Sequence, residues 1–451
     1  MIKRKITIGG AGLVGSLLSI YLKKAGYDVT IFERRPDMRK SNISAGKSIN
    51  LALSDRGILA LKKIGILENV EPIAIPMHGR YIHNADGTEV FQPYGKEGQY
   101  INSVSRAGLN SMLMDLAEQE GVKIHFNHKI KSADWDSKSI QIEQNDGQVF
   151  NQNFDLLFGA DGAFAATRLS QQLQHNHFQY QQFYIDYGYK ELEIPSGENG
   201  SFRIEKNALH IWPRGNYMLI ALPNIDGSFT CTLFFPFEGN PSFASIKTPE
   251  DATAFFKENF KDAYELMPTL VEDFFRNPTS GLVTVKCFPW VRDDSFALIG
   301  DAAHAIVPFF GQGMNCGFED CFVLDQLLEK HNHNWNEVLR EYQQLRKPDA
   351  DAIAELALNN FVEMRDKVAD KNFLLQKKIE SNFSFKHPDK WTPAYSLVTF
   401  SPNISYSEAL QKGNRQQAIM DEVMQLENIE SIWNSEQIEN EILKRLSDDK
   451  N

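Results

Sequence analysis

Lys5-Ile6-Thr7-Ile8-Gly9-Gly10-Ala11-Gly12-Leu13-Val14-Gly15 decides the fold, because a strand-like apolar run passes through a glycine turn into the start of a helical pattern. In this order Gly10 permits a tight turn and Gly12 lets backbone approach a pyrophosphate. Gly15 allows the helix to pack closely on the strand, with the helix N-terminus facing the negative charge. The helical pattern runs through Leu17, Leu18, Tyr21 and Leu22 and stops at Gly26, a residue suited to a left-handed C-cap. A second strand, Tyr27-Asp28-Val29-Thr30-Ile31-Phe32-Glu33, ends in an acid at roughly the 20-residue spacing that lets a carboxylate reach a ribose. Strand, glycines, helix, glycine stop, strand and acid together predict a dinucleotide-binding unit.

The chain of 451 residues is too long for one simple core, so two or three packed subdomains are expected. A formal charge of -12 with no basic patch argues against nucleic acid or an anionic membrane surface as the main partner. Cys231, Cys287, Cys316 and Cys321 show no metal-ligand spacing and no secretory leader precedes the glycine turn, so no metal and a reduced cytoplasmic setting are expected. No run approaches the roughly 18 apolar residues that span a bilayer, and residues 436–446 read as a charged amphipathic helix.

The α/β pattern continues through Asn50-Leu51-Ala52-Leu53-Ser54, a helix around Arg56 to Ile64, and Ser103-Val104-Ser105-Arg106. From about Asn176 to Cys287 the texture changes to aromatic-rich strand runs such as Phe183-Tyr184-Ile185-Asp186-Tyr187-Gly188-Tyr189 and Thr230-Cys231-Thr232-Leu233-Phe234-Phe235, which read as a separate, mostly antiparallel sheet. Nucleotide-domain character returns with Ser295-Phe296-Ala297-Leu298-Ile299-Gly300-Asp301, and from Asn315 onward the pattern is almost wholly helical. There is no internal repeat.

Two further segments follow the glycine turn. Asp155-Leu156-Leu157-Phe158-Gly159-Ala160-Asp161-Gly162, followed by Arg168, is a strand ending in an acidic turn. Gly300-Asp301-Ala302-Ala303-His304-Ala305 is followed by Pro308, Gly311-Gln312-Gly313 and Met314-Asn315. There Asp301 can accept a ribitol hydroxyl, and a helix starting at the last glycine turns its positive end toward the pyrimidine edge of an isoalloxazine. His304 reads as a packing or hydrogen-bonding residue. In this order the three segments resemble the FAD-dependent aromatic hydroxylases, the para-hydroxybenzoate hydroxylase-like family. That resemblance implies an α/β fold in which a Rossmann-like FAD-binding domain is interrupted by a mostly antiparallel β-sheet substrate domain and followed by a helical C-terminal region. The expected boundaries are 1–175 for the first part of the FAD domain, with a substrate-domain segment at about 70–100, then 176–287 for the sheet, 288–330 for the completing part and 331–451 for the helices. It also implies noncovalent FAD, O2, and NADPH as a transient co-substrate, since only one glycine fingerprint is present. Hydroxylation would proceed through a flavin C4a-hydroperoxide, with no side-chain nucleophile.

Longer irregular strings are similar to the kynurenine 3-monooxygenase branch of that family: Lys47-Ser48-Ile49-Asn50-Leu51-Ala52-Leu53-Ser54-Asp55-Arg56-Gly57, Phe91-Gln92-Pro93-Tyr94-Gly95, Val307-Pro308-Phe309-Phe310-Gly311-Gln312-Gly313-Met314-Asn315 and Asn359-Asn360-Phe361-Val362-Glu363-Met364-Arg365. The likeness extends to about Tyr406. It implies conversion of L-kynurenine to 3-hydroxy-L-kynurenine in tryptophan catabolism and NAD biosynthesis. Arg80 would grip the substrate carboxylate, Tyr94 would add its hydroxyl, and Asn360 and Tyr395 would complete the polar end. Pro308, Phe309 and Phe310 would press the ring toward the flavin, with Met364 filling apolar space. For FAD the resemblance assigns Gly10, Gly12, Val14 and Gly15 to the glycine turn, Glu33 to the adenosine ribose and Arg106 to the pyrophosphate region. Ala52, Ile130 and Ala166 would line the pocket through backbone, Asp161 lies in the acidic turn, and Asp301, Gly313, Met314 and Asn315 would hold the ribitol and ring. Gly9 stands where a bulkier aliphatic residue is common, which should loosen the first strand slightly. Three alternatives remain. A hydroxylase of another aromatic acid would not need Arg80, Tyr94 and Asn360 together, and a flavin halogenase would need a Trp-x-Trp-x-Ile-Pro string that is absent. A non-enzymatic flavin redox sensor would show no substrate-stimulated NADPH oxidation. The sequence leaves the oligomeric state open, a homodimer included.

Overall fold

The computed structural model describes residues 4–40, 50–95, 98–363 and 370–448. The apolar strands Lys5–Gly9 and Asp28–Glu33 lie side by side in parallel, with Ile6 opposite Val29 and Ile8 opposite Ile31. The crossover between them is the helix Leu13–Lys24, whose Leu17, Leu18, Ile20 and Leu22 are fully buried. Gly26 ends it at φ +91°, a value that costs glycine nothing. Leu156–Gly159 pairs in parallel on the other side of the first strand, and Phe296–Leu298 pairs in parallel beyond it. These strands, with Val291–Arg292 and Lys123–Phe126 at the edges, make a six-stranded sheet. The chain therefore leaves this sheet after Gly159 and returns to it at Val291, as the two separated patches of α/β texture predicted.

Those intervening residues supply five strands of a seven-stranded sheet, whose order is Ser280–Phe288, Gln179–Ile194, Phe229–Pro236, Met218–Pro223, Ala208–Pro213, Gly79–His83 and Glu89–Pro93. Its one parallel pairing joins Ala208–Pro213 to Gly79–His83, which brings the segment expected at about 70–100 into this sheet. Within the span 176–287, read from the sequence as a β-sheet substrate domain, lie also the helices Pro249–Asn259, Lys261–Leu266 and Leu270–Arg276. Phe255, Phe256, Phe260 and Phe274 from this helical layer pack against Trp212, Leu219, Phe229 and Leu233 of the sheet. The start was readable: Thr248 accepts from Asp251 N–H while Asp251 accepts from Thr248 N–H, a reciprocal cap followed by proline at the first helical position.

A small antiparallel sheet of Asn50–Leu53, Ile101–Ser105 and Ala74–Met77 bridges the two large ones. The C-terminal part holds the helices Gly313–Lys330, Trp335–Val362, Lys371–Lys386, Ala394–Phe400, Tyr406–Val423 and Glu436–Asp448. The last is amphipathic as expected, burying Ile438 and Ile442 against Ile379, Phe383, Trp391, Met420 and Val423. Among the described residues, no helix is long and apolar enough to cross a membrane.

Candidate flavin and substrate site

Three separated segments meet at the glycine turn. Gly10 sits at φ +100°, and a Cβ there would lie 2.6 Å from the Ala160 carbonyl oxygen, so the acidic turn packs directly on the glycine turn. A Cβ on Gly15 would stand 2.1 Å from the Gly10 carbonyl oxygen, whereas nothing lies within 4 Å of the Cβ position of Gly12. The turn is thus closed on the protein side and open above Gly12. Val14 packs between Gly300 and Gly317, so the third segment and the helix Gly313–Lys330 converge on the same point. Helix Arg106–Gln119 joins them through Asn110, whose amide donates to the Ala11 carbonyl at 3.2 Å.

Glu33 is buried at the end of its strand and accepts from the N–H of Ala11 at 2.8 Å and from Arg35 N–H and Nε. Burial works against its charge, but the Arg35 guanidinium and the Arg35 and Ala11 N–H groups hold the carboxyl below its ordinary range. Asp301 and Arg106 are exposed, and neither side chain forms a hydrogen bond among the described residues. Helix Gly313–Lys330 opens with the N–H groups of Gly313, Met314 and Asn315 ahead of its first internal bond, from Cys316 to the Gln312 carbonyl. Eighteen aligned residues put a fractional positive charge there. An open glycine turn with a buried acid beside it, an exposed carboxylate and an exposed cation, and a helix N-terminus fit a dinucleotide flavin.

Several side chains expected to touch the cofactor are committed elsewhere. Asn315 is fully buried; its Oδ1 accepts from Ser54 N–H at 3.0 Å and its amide donates to the carbonyls of Ala52 and Gly311 at 2.8 and 2.9 Å. It pins strand Asn50–Leu53 to the helix start, so only its backbone N–H is left for a ligand. Asp161 likewise accepts from Thr167 N–H and its hydroxyl, capping helix Ala166–Leu173. Burial pushes its carboxyl above the ordinary value, against the pull of those bonds. The Ile130 Cδ1 lies 2.9 Å from where a Cβ on Gly9 would stand, so its side chain fills the space that a bulkier residue there would take.

Just ahead of this helix, Phe309 and Phe310 lie in a short turn that begins an aromatic enclosure. Phe310 stacks on Tyr395 with centroids 5.4 Å apart, and Tyr395 stacks on Tyr94 at 5.7 Å. The Arg80 guanidinium lies over both tyrosine rings, 4.4 Å from the Tyr395 centroid and 5.4 Å from that of Tyr94. Arg80 forms no ion pair among the described residues, and the buried Tyr94 hydroxyl has no hydrogen-bond partner among them. Burial and the neighbouring Tyr395 push the Tyr94 phenol well above its ordinary value, so it stays a neutral donor. Phe309 is walled by Phe234 and Phe361 at 4.9 and 4.5 Å. Asn360 donates to the Phe309 carbonyl at 2.7 Å, which makes it a holder of the aromatic turn and not simply part of the polar end. Pro308 opens that turn, and Met364 lies outside the described residues.

Sequence reasoning missed Gln312, which stands at the N-cap position of helix Gly313–Lys330, accepts from the Tyr406 hydroxyl at 2.9 Å and is buried with it. It also missed the rings Phe234, Phe361 and Phe400; their aromatic character was visible, but not their partners. His304 is a hydrogen-bonding residue as read, 2.6 Å from Asp320. A groove of about 380 Å³ between Lys286–Phe288 on one side and Lys347, Asp351 and Glu355 on the other contains none of these residues.

Comparison with known proteins agrees with this arrangement. The FAD binding domain family matches residues 3–357. The kynurenine 3-monooxygenase of Flavobacterium johnsoniae is 54% identical over 443 residues, 98% of this chain and 98% of that protein. That of Myxococcus xanthus is 48% identical, covering 93% of this chain and 91% of its own, and that of Dictyostelium discoideum is 45% identical with 94% of each covered. Among solved structures, the tetrameric form of 2-methyl-3-hydroxypyridine-5-carboxylic acid oxygenase superimposes with a TM-score of 0.67 at 20% identity, over 84% of this chain and 97% of that one. Pseudomonas aeruginosa PqsL in complex with 2-aminobenzoylacetate gives 0.64 at 19% identity, over 81% and 97%. The likeness in fold and the near-complete alignment with the named relatives leave one assignment: the chain belongs to the kynurenine 3-monooxygenases, within the flavin-dependent monooxygenases that bind FAD.

Proposed function

We propose that the enzyme hydroxylates L-kynurenine at ring position 3, with NADPH as reductant and O2 as oxygen source, in tryptophan catabolism leading toward NAD. The observation that carries this reading is Arg80, a permanent cation set among aromatic rings with no acidic partner among the described residues. Such a guanidinium suits a carboxylate whose neighbouring atoms are apolar or aromatic. The Tyr94 hydroxyl would donate to the same carboxylate, and Phe309 and Phe310 would orient the aryl ring and exclude water from it. Asn360 would hold the Phe309 carbonyl, keeping that wall in register. FAD would lie over Gly12, held by Glu33, Arg106, Asp301 and the first N–H groups of helix Gly313–Lys330, and it supplies the acceptance of reducing equivalents and the activation of oxygen. The described residues contain one parallel nucleotide-binding sheet, which FAD would use, so NADPH would visit only transiently.

The test is Arg80→Met, which keeps the volume and removes the guanidinium. Loss of one bidentate, charge-assisted contact should lower kcat/KM for L-kynurenine by about 2–3 kcal/mol, roughly 30- to 150-fold, with the flavin spectrum intact. Mass identification of 3-hydroxykynurenine from the unsubstituted enzyme completes it. An unchanged kcat/KM, or no hydroxylated product, overturns the proposal.

A further inference from the structure

On the opposite face of the strand that carries Arg80 lies a polar cluster that the flavin chemistry does not use. Residues alternate faces along Gly79–His83, so Arg80 and His83 point to different sides of the sheet. His83 is paired directly across the hairpin with Glu89, and Asp262 approaches from the first turn of helix Lys261–Leu266. His83 is 5% exposed, stacks on Trp212 at 4.1 Å, and points Nδ1 at both acids, 3.2 Å from Glu89 Oε1 and 3.2 Å from Asp262 Oδ2. That nitrogen has no hydrogen-bond partner of acceptable geometry among the described residues.

The protons on the imidazoles can be placed. His210 Nε2 lies 2.7 Å from the Glu205 carbonyl, which only accepts, so that nitrogen carries a proton. His83 Nε2 and His210 Nδ1 are 2.8 Å apart and share the second proton. Nδ1 of His83 faces the two carboxylates, and the three ligand atoms together leave a place for a cation between them. Ligand atoms about 2.0–2.2 Å from a tetrahedral zinc ion stand roughly 3.3 Å from one another, close to both measured separations. All three ligand atoms lie within 4.8 Å of one another. The surroundings have the form of a metal site's outer shell: the other nitrogen of His83 is fixed by His210, and Asp262 Oδ2 accepts from Trp212 Nε1 at 2.6 Å. The Glu89 and Asp262 side chains are 50% and 49% exposed, giving an ion an entry path and waters to complete its coordination. The nearby Arg214 guanidinium is committed to the carbonyls of His83, Pro213 and Asn259.

We propose that His83, Glu89 and Asp262 bind one divalent transition-metal cation of the zinc class, a structural site separate from the flavin and the aromatic enclosure. The ion ties the edge hairpin to the helical layer and so steadies the strand that presents Arg80. The separations along the chain hide the site from any spacing motif.

The FAD-loaded full-length protein, treated with a chelator and dialysed, is titrated with ZnCl2 by calorimetry and melted with and without the metal. One Zn2+ per chain, a higher melting midpoint with Zn2+, and no competition from MgCl2 are expected. Glu89→Gln and Asp262→Asn should each weaken binding by at least about 10-fold while leaving the flavin spectrum unchanged; both positions are half-exposed, so folding is retained. Absence of saturable binding overturns the proposal, as does an affinity in both variants equal to that of the unsubstituted protein. A melting midpoint that follows pH but not Zn2+ also overturns it, because a third proton then occupies Nδ1.

Discussion

Removing one oxygen atom from Tyr94 should move stability and activity in opposite directions. The ring of Tyr94 stacks on Tyr395 and lies under the Arg80 guanidinium, contacts that phenylalanine preserves. Its hydroxyl is buried beside Arg80 and Tyr395, and none of its contacts among the described residues reaches full hydrogen-bond geometry. A buried, unsatisfied hydroxyl costs about 1–3 kcal/mol, so Tyr94→Phe should stabilise the protein by an amount of that order when no substrate is present. For a chain this long, that is an upward shift on the order of 1 °C per kcal/mol in the melting midpoint. With L-kynurenine the same hydroxyl would donate to a carboxylate, a bond worth about 1.5–3 kcal/mol, so kcat/KM should fall roughly 10- to 100-fold. Differential scanning fluorimetry without substrate and steady-state NADPH consumption coupled to product analysis read the two arms. A variant that melts lower and keeps its kcat/KM would refute the reasoning, since the hydroxyl would then be satisfied inside the protein and absent from the reaction.

Asn315→Leu should release FAD, because Ser54 N–H and the carbonyls of Ala52 and Gly311 lose their partners together; each stranded group costs about 1–3 kcal/mol. Flavin release measured by fluorescence should rise at least about 10-fold, and an unaltered FAD affinity would show that strand and helix hold the turn without Asn315. The His304 imidazole is raised well above its ordinary value: burial opposes the charge, but Asp320 outweighs it. The stability it contributes is therefore fully present below about pH 6.5 and lost as pH climbs through the raised value. The urea-unfolding gap between the wild-type protein and His304→Gln should accordingly narrow in alkaline buffer. A gap that stays constant from neutral to alkaline pH would mean that His304 is already neutral.

What the sequence revealed follows the range of the interactions involved. The glycine turn, the strand ending in Glu33 and the strand ending in Asp161 are local patterns set by backbone dihedrals and side-chain alternation, and each is found where its residues place it. The return of the chain at Phe296–Leu298 was legible because its texture matches the first strands. The helices of 249–276 were overlooked because aromatic runs dominate the region, although the cap at Thr248 announced them. Side-chain partners were the least legible part. Asn315 engages Ser54 across 261 residues, so no window of sequence shows that its amide is already occupied. The same holds for the Ile130 methyl group that fills the space above Gly9.

The largest unread feature is a buried chain of charges that joins the two halves of the site. Arg56 has no exposed side-chain surface; it meets Glu319 Oε1 at 2.7 Å, lies 4.0 Å over the Tyr406 ring and donates to the carbonyls of Val398 and Ile404. Glu319 Oε2 accepts from Arg346 at 2.8 Å, and Arg346 also engages Asp320 and Asp349. Asp320 continues to His304, so the three cations Arg56, Arg346 and His304 balance the three acids Glu319, Asp320 and Asp349. In any other register of these helices at least one charge would be buried alone, at a cost of about 3–5 kcal/mol, and that penalty selects a single docking of the C-terminal helices. The consequence reaches the substrate side. Arg56 holds the carbonyl end of helix Ala394–Phe400, which carries Tyr395, while its partner Tyr406 bonds to Gln312 just ahead of helix Gly313–Lys330. The tyrosine beside Arg80 and the first N–H groups of helix Gly313–Lys330, proposed to face the flavin, are therefore registered through one buried arginine, and a disturbance at either end must be accommodated by this buried network.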